Sequence, residues 1–166
     1  MNTANSEPVT VASVDLPRYL GTWFEIARLP MRHEPEDFTD ITADYALQDS
    51  GKVRVRNRAL DGKGELQESI GEAGAVDDSN SKLEVTFLPE GLRWIPFTKG
   101  DYWILKLDPE YTTALVGSPD RKYLWLLSRQ PMLDESTKQD FLAHARQQGF
   151  DLADLIHTPH TGHPSA

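Results

Sequence analysis

The feature that most constrains this chain is a succession of short runs with alternating polarity, broken at hairpin intervals. "VRVRNRAL" places Val53, Val55 and Asn57 on one face and Arg54, Arg56 and Arg58 on the other, the period-two signature of a half-buried strand. It lies between two tight turns, "DSGK", where Gly51 can take positive φ, and "DGKG". "KLEVTFL" repeats the pattern, with Leu83, Val85 and Phe87 sharing a face. "TWFEIARLP", "ITADYALQ", "ELQESIGEAGAV", "DYWILKLD", "TTALVGS" and "KYLWLLSR" complete the series. About eight strands with mostly hairpin-length connections predict an antiparallel sandwich or barrel rather than alternating β-α units.

The period changes once. "PMLDESTKQDFLAHARQQGF" offers Asp134 or Ser136 as an N-cap, Gly149 as a stop, and Phe141, Leu142 and Ala145 at helical spacing. One amphipathic helix over about 134–148 is therefore expected to pack against the strands. The small, polar residues 1–14 read as a flexible N-terminal arm, 15–156 as a single domain, and 157–166 as a flexible tail.

Charge and composition narrow the function. A formal net charge of −9 argues against nucleic acid as a partner, because phosphate binding needs a basic face. With no cysteine, there is no disulfide, thiolate nucleophile or Cys-ligated zinc. The N-terminal stretch lacks the basic and apolar regions of a secretory signal, and no run approaches ~18 apolar residues. The expected location is cytoplasmic, or elsewhere with a signal already removed.

In a closed barrel one face of every strand points inward. If Trp125 points inward, so do Leu127 and Arg129. An inward Arg needs partners, and Trp23 in "YLGTWFEIARLP" is the candidate, through a cation–π contact supported by backbone carbonyls of the first segment. The alternative is an Arg129 on the surface before a Pro-containing loop. Asn57 shares the parity of Val53 and Val55 yet is polar, so it needs a buried hydrogen-bond partner or a ligand head group.

"YLGTWFEIARLP", "YLWLLSRQP" and the helix that follows resemble the lipocalins, and more narrowly the bacterial outer-membrane lipocalins and their relatives of the apolipoprotein D type. The resemblance runs from Asp15 to Ile156 and rests on Gly21-x-Trp23, "LDPEYTTALVGSP" and Arg129, in that order. It implies an all-β fold with one helix: an eight-stranded antiparallel up-and-down β-barrel of the lipocalin (calycin) type plus the C-terminal helix. It further implies closure of one barrel end by Gly21, Trp23 and Arg129. The cavity would bind a small hydrophobic molecule, a fatty acid or lysophospholipid in the bacterial branch. Its wall would include Tyr45, Val55, Asn57, Trp103, Leu105 and Trp125, with Asn57 meeting Tyr45. Asp108 and Tyr111 are separated by Pro109-Glu110, the spacing usual in the bacterial branch. That branch is tethered at the outer membrane through an N-terminal Cys, which this sequence lacks.

The loop "LRWIPFTKG" carries an apolar tip, Trp94, Ile95, Pro96 and Phe97, between Arg93 and Lys99. It reads as a peripheral membrane contact, a lid over the mouth, or a dimer contact in a protein that is a monomer or homodimer. Glu25 shares Trp23's parity and reads as a satisfied structural carboxylate. The His157, His160, His163 series sits in a Pro- and Gly-containing tail without fixed geometry, so no metal site and no cofactor is expected. The expectation is a non-enzymatic lipid carrier. A pigment or porphyrin binder using the same cavity is the first alternative, and an enzyme using the barrel as its active site the second.

Overall fold

The computed structural model of the chain describes residues 6–31, 37–87 and 99–161. A short helix α1 (Leu16–Tyr19) leads into eight strands, β1 (Gly21–Arg28), β2 (Thr39–Leu47), β3 (Val53–Leu60), β4 (Leu66–Ala75), β5 (Lys82–Phe87), β6 (Lys99–Leu107), β7 (Thr113–Gly117) and β8 (Leu124–Ser128). Helix α2 (Glu135–Gln147) and a two-residue strand β9 (Ile156–His157) follow. Each strand pairs antiparallel with the next, β8 pairs with β1, and β1 pairs back to β2, so the sheet closes into an up-and-down barrel.

Two apolar layers hold the barrel. Inside, Trp23, Tyr45, Val55, Val85, Val116 and Leu127 belong to one buried cluster. Outside, Ile26, Leu115, Leu124 and Leu126 pack against Phe141, Leu142 and Ala145 of α2. Burying each large aliphatic or aromatic side chain there contributes roughly 1.5–3 kcal/mol. The helix starts where Asp134 accepts a hydrogen bond from the Thr137 N–H at 3.0 Å, a cap worth about 1 kcal/mol. It ends before Gly149, whose φ of +93° terminates the helix in the left-handed region.

Both segments read as flexible in the sequence are attached to the barrel where they are described. On the N-terminal side, Val11 N–H donates to the Ile104 carbonyl at 3.0 Å and Val14 N–H to the Ser79 carbonyl at 2.8 Å. Val14 is buried in the inner cluster. On the C-terminal side, β9 pairs with β1 (Ala27 with His157, Arg28 with Ile156). Thr158 N–H then donates to Ile26 on β1, while Asp40 N–H on β2 donates to the Pro159 carbonyl. Since β1 and β2 pair directly only from Gly21 to Phe24, the segment through Thr161 fills the gap between their far halves. Small and polar composition suggested a loose tail, but unpaired backbone at this seam gives it hydrogen-bond partners.

Candidate functional site

Gly21 begins β1 at φ +100°, a conformation that favours glycine. A Cβ there would also sit 3.3 Å from the Arg129 guanidinium. Two residues on, Trp23 is fully buried and its indole N–H donates to the Tyr19 carbonyl at 2.8 Å. Arg129 lies over the Trp23 ring, 3.8 Å from its centroid. Its guanidinium donates to the carbonyls of Tyr111 (3.1 Å), Thr22 (3.0 Å) and Arg18 (2.9 Å). With α1, these contacts seal the barrel at the start of β1.

Just inside this seal three phenols meet. The Tyr45 hydroxyl donates to the Tyr102 hydroxyl at 2.9 Å, and the Tyr19 and Tyr102 hydroxyls are hydrogen-bonded at 2.7 Å. Tyr19 stacks on Tyr45 with ring centroids 5.9 Å apart, and Tyr102 meets Tyr45 edge-on at 5.8 Å, geometries favoured by the ring quadrupoles. Burial pushes all three phenols above their ordinary pKa, so they remain neutral hydrogen-bonding groups. A cavity of about 20 Å³ lies among them, lined also by Leu16, Val55, Leu83 and Val85, with room for one small group.

Farther along the lumen, Trp125 packs against the inner cluster and stacks on Tyr123 at 6.0 Å. Its register partner on β1 is Arg28. Arg28 is fully buried and forms an ion pair with Glu25 at 3.0 Å, and Thr158 Oγ1 donates to the same carboxylate oxygen at 2.6 Å. Desolvation pushes the Glu25 pKa up, opposed by the Arg28 charge and by the Thr158 and Arg28 hydrogen bonds. Glu25 is thus a satisfied carboxylate, held by an arginine three positions on in the same strand.

Trp103 and Leu105 require correction. Both belong to the outer cluster beneath α2, and the Trp103 ring is covered by Lys82 Nζ at 4.3 Å. The inward residues of β6 are Tyr102, Ile104 and Leu107. "YWILKL" is apolar on both faces because α2 covers its outer face, so alternation could not reveal which face was which. A bulge between Ile104 and Lys106 blurs the period further.

Asn57 also departs from expectation. Its Cα partners are Ala43 on β2 and Ser69 on β4, whereas Tyr45 lies opposite Val55. The Tyr45 hydroxyl bonds to Tyr102, not to Asn57. Tyr19 and Tyr102 are the inward phenols that sequence reading missed. The signal for Tyr102 lay in register, since it sits opposite Leu83 of the alternating β5. Trp94, Ile95 and Phe97 lie outside the described residues.

The histidine series does not converge on one point. His157 pairs with Ala27 in the sheet, His160 Nε2 is 2.7 Å from the Glu25 carbonyl oxygen, and His163 is outside the described residues. Among the described residues no three His, Cys, Asp or Glu side chains group so as to hold a metal ion.

A family model for the lipocalin-like domain matches residues 14–160. Temperature-induced lipocalin-1 of Arabidopsis thaliana is 37% identical over 165 residues, covering 98% of this chain and 88% of its own. Outer membrane lipoprotein Blc of Escherichia coli K12 is 41% identical over 150 residues, covering 88% of this chain and 79% of its own. Among solved structures, insecticyanin of Manduca sexta superposes with a TM-score of 0.68 at 21% identity, covering 95% of this chain and 86% of that one. The fold, the sealed barrel end and these matches lead to one conclusion: the chain belongs to the lipocalin family.

Proposed function

We propose that this protein is a non-enzymatic carrier that reversibly takes a small hydrophobic molecule, a fatty acid or lysophospholipid, into its barrel. The observation that carries the reading is a closed barrel, held together at one end by Trp23, Arg129 and α1, whose inner face is apolar along Val55, Val85, Val116 and Leu127. An acyl chain lowered into it gains about 0.8 kcal/mol per buried CH₂, before the loss of its own freedom is subtracted. Trp125 would contact it along the way, while Trp103 on the outer face would not.

Native mass spectrometry of the purified protein, with extraction of anything bound, tests this directly. Tryptophan fluorescence titrations with oleic acid and 1-oleoyl lysophosphatidylcholine accompany it. A co-purifying lipid or saturable quenching supports the carrier reading. An empty protein that ignores both ligands overturns it.

A further inference from the structure

Ser69, at the middle of β4, is 1% exposed, and its Oγ has no hydrogen-bond partner among the described residues. A buried hydroxyl left this way is destabilising, so its retention at a lumen position invites a functional explanation. That Ser69 faces the lumen follows from register. It alternates with Gly71 and Ala73, and Ala73 belongs to the inner cluster. Its partner on β3 is Asn57, whose partner on β2 is the inner-cluster residue Ala43. Gln67, the next inward side chain on β4, sends its amide N–H to Asp61 at 3.0 Å instead of toward Ser69. A hydroxyl and a carboxamide therefore stand side by side on the wall, offering neutral donors and acceptors.

The charges around them decide what those groups would accept. Glu25 and Arg28 are paired with each other. Arg56 and Arg58, on the outer face of β3, are paired with Glu68 and Asp44. Arg129 is spent on Trp23 and three carbonyls at the sealed end. Among the described residues, a carboxylate brought to Ser69 and Asn57 would meet neutral groups, and burying it there is unfavourable without a cation of its own. A neutral oxygen function, an ester carbonyl beside a hydroxyl, meets matching partners with no charge to desolvate.

We infer that Ser69, with Asn57, forms a subsite that selects lipids carrying a neutral glycerol-ester group, of the monoacylglycerol type, over free carboxylates. This rests on the carrier reading above. The test uses the full chain at neutral pH, with 1-monooleoylglycerol and oleate titrated separately against wild type, Ser69→Ala and Ser69→Thr, and the melting temperature of each protein recorded. Wild type should prefer the monoacylglycerol. Ser69→Ala should weaken that lipid about five- to tenfold with oleate changed less than about twofold, and Ser69→Thr, which keeps the hydroxyl, should retain the preference. If both lipids bind but Ser69→Ala moves neither, or weakens both alike, the subsite is overturned and the carrier reading stands. If neither lipid binds wild type, the subsite is overturned, and the lysophosphatidylcholine titration above decides the carrier reading.

Discussion

Arg129 sits with its guanidinium 3.8 Å from the centre of the Trp23 ring while three carbonyls from two separate stretches of chain take its N–H groups. The contact ties the residue after β8 to the loop before β7, to α1 and to β1. A planar, forked cation suits this role because it can stack and donate in several directions at once. Arg129→Lys keeps the charge and loses the fork. Urea unfolding should show it less stable than wild type by about 2 kcal/mol; a change below about 0.5 kcal/mol would remove the residue from the closure.

The two lumen-strand tryptophans should separate cleanly. Trp125→Phe should lower lipid-induced quenching and weaken binding about three- to tenfold, because that ring packs on the inner cluster. Trp103→Phe should leave affinity unchanged while lowering the melting temperature by a few degrees, because its ring packs under α2 and Lys82. Equal effects on affinity from both would place the ligand somewhere other than the lumen.

Glu25 predicts a pH dependence of definite sign. Burial raises its folded-state pKa above the ordinary 4.5. Between the two values the folded protein holds a proton that the unfolded chain has released. This group's contribution to stability therefore falls as pH rises from about 4.5 through the folded-state pKa. Denaturant midpoints of wild type and Glu25→Gln, measured from pH 4 to 8, should show the difference wild type minus variant decreasing with pH. A difference that grows with pH would show the Arg28 charge outweighing burial.

Asp40 fastens the C-terminal segment. Its carboxylate accepts from the Thr161 N–H at 2.8 Å and from Thr161 Oγ1 at 2.8 Å. Asp40→Ala should accelerate amide hydrogen exchange at Asp40 and Thr158 about tenfold or more, with the β3–β4 amides unchanged. Uniform acceleration throughout the barrel would instead report global destabilisation.

Legibility in the sequence tracked how one-sided each element's environment is. β3 could be read because water lies on one face and the lumen on the other, separating Val53 and Val55 from Arg54 and Arg56. The helix could be read from Asp134, Gly149 and its apolar stripe. Parity along β8 made Trp23 a candidate partner for Arg129, and the lipocalin resemblance chose that pairing over a surface Arg129. Strand β6 could not be oriented, since apolar residues cover both of its faces. The tyrosine cluster joins residues 19, 45 and 102, and the ion pair at Glu25 is completed by Thr158. Such contacts are set by register and closure, which no local pattern records. Ser69 was passed over for the same reason, because an isolated serine in a strand carries no signal until its neighbours are known.

The C-terminal segment between β1 and β2 has a consequence for biosynthesis. It partners residues near the beginning of the barrel, with Thr158 reaching Glu25 across a separation of 133 positions. A chain leaving the ribosome N-terminus first therefore exposes all eight barrel strands before the piece that fills this seam becomes available. Until then the backbone groups on the far halves of β1 and β2 lack the partners that this segment supplies.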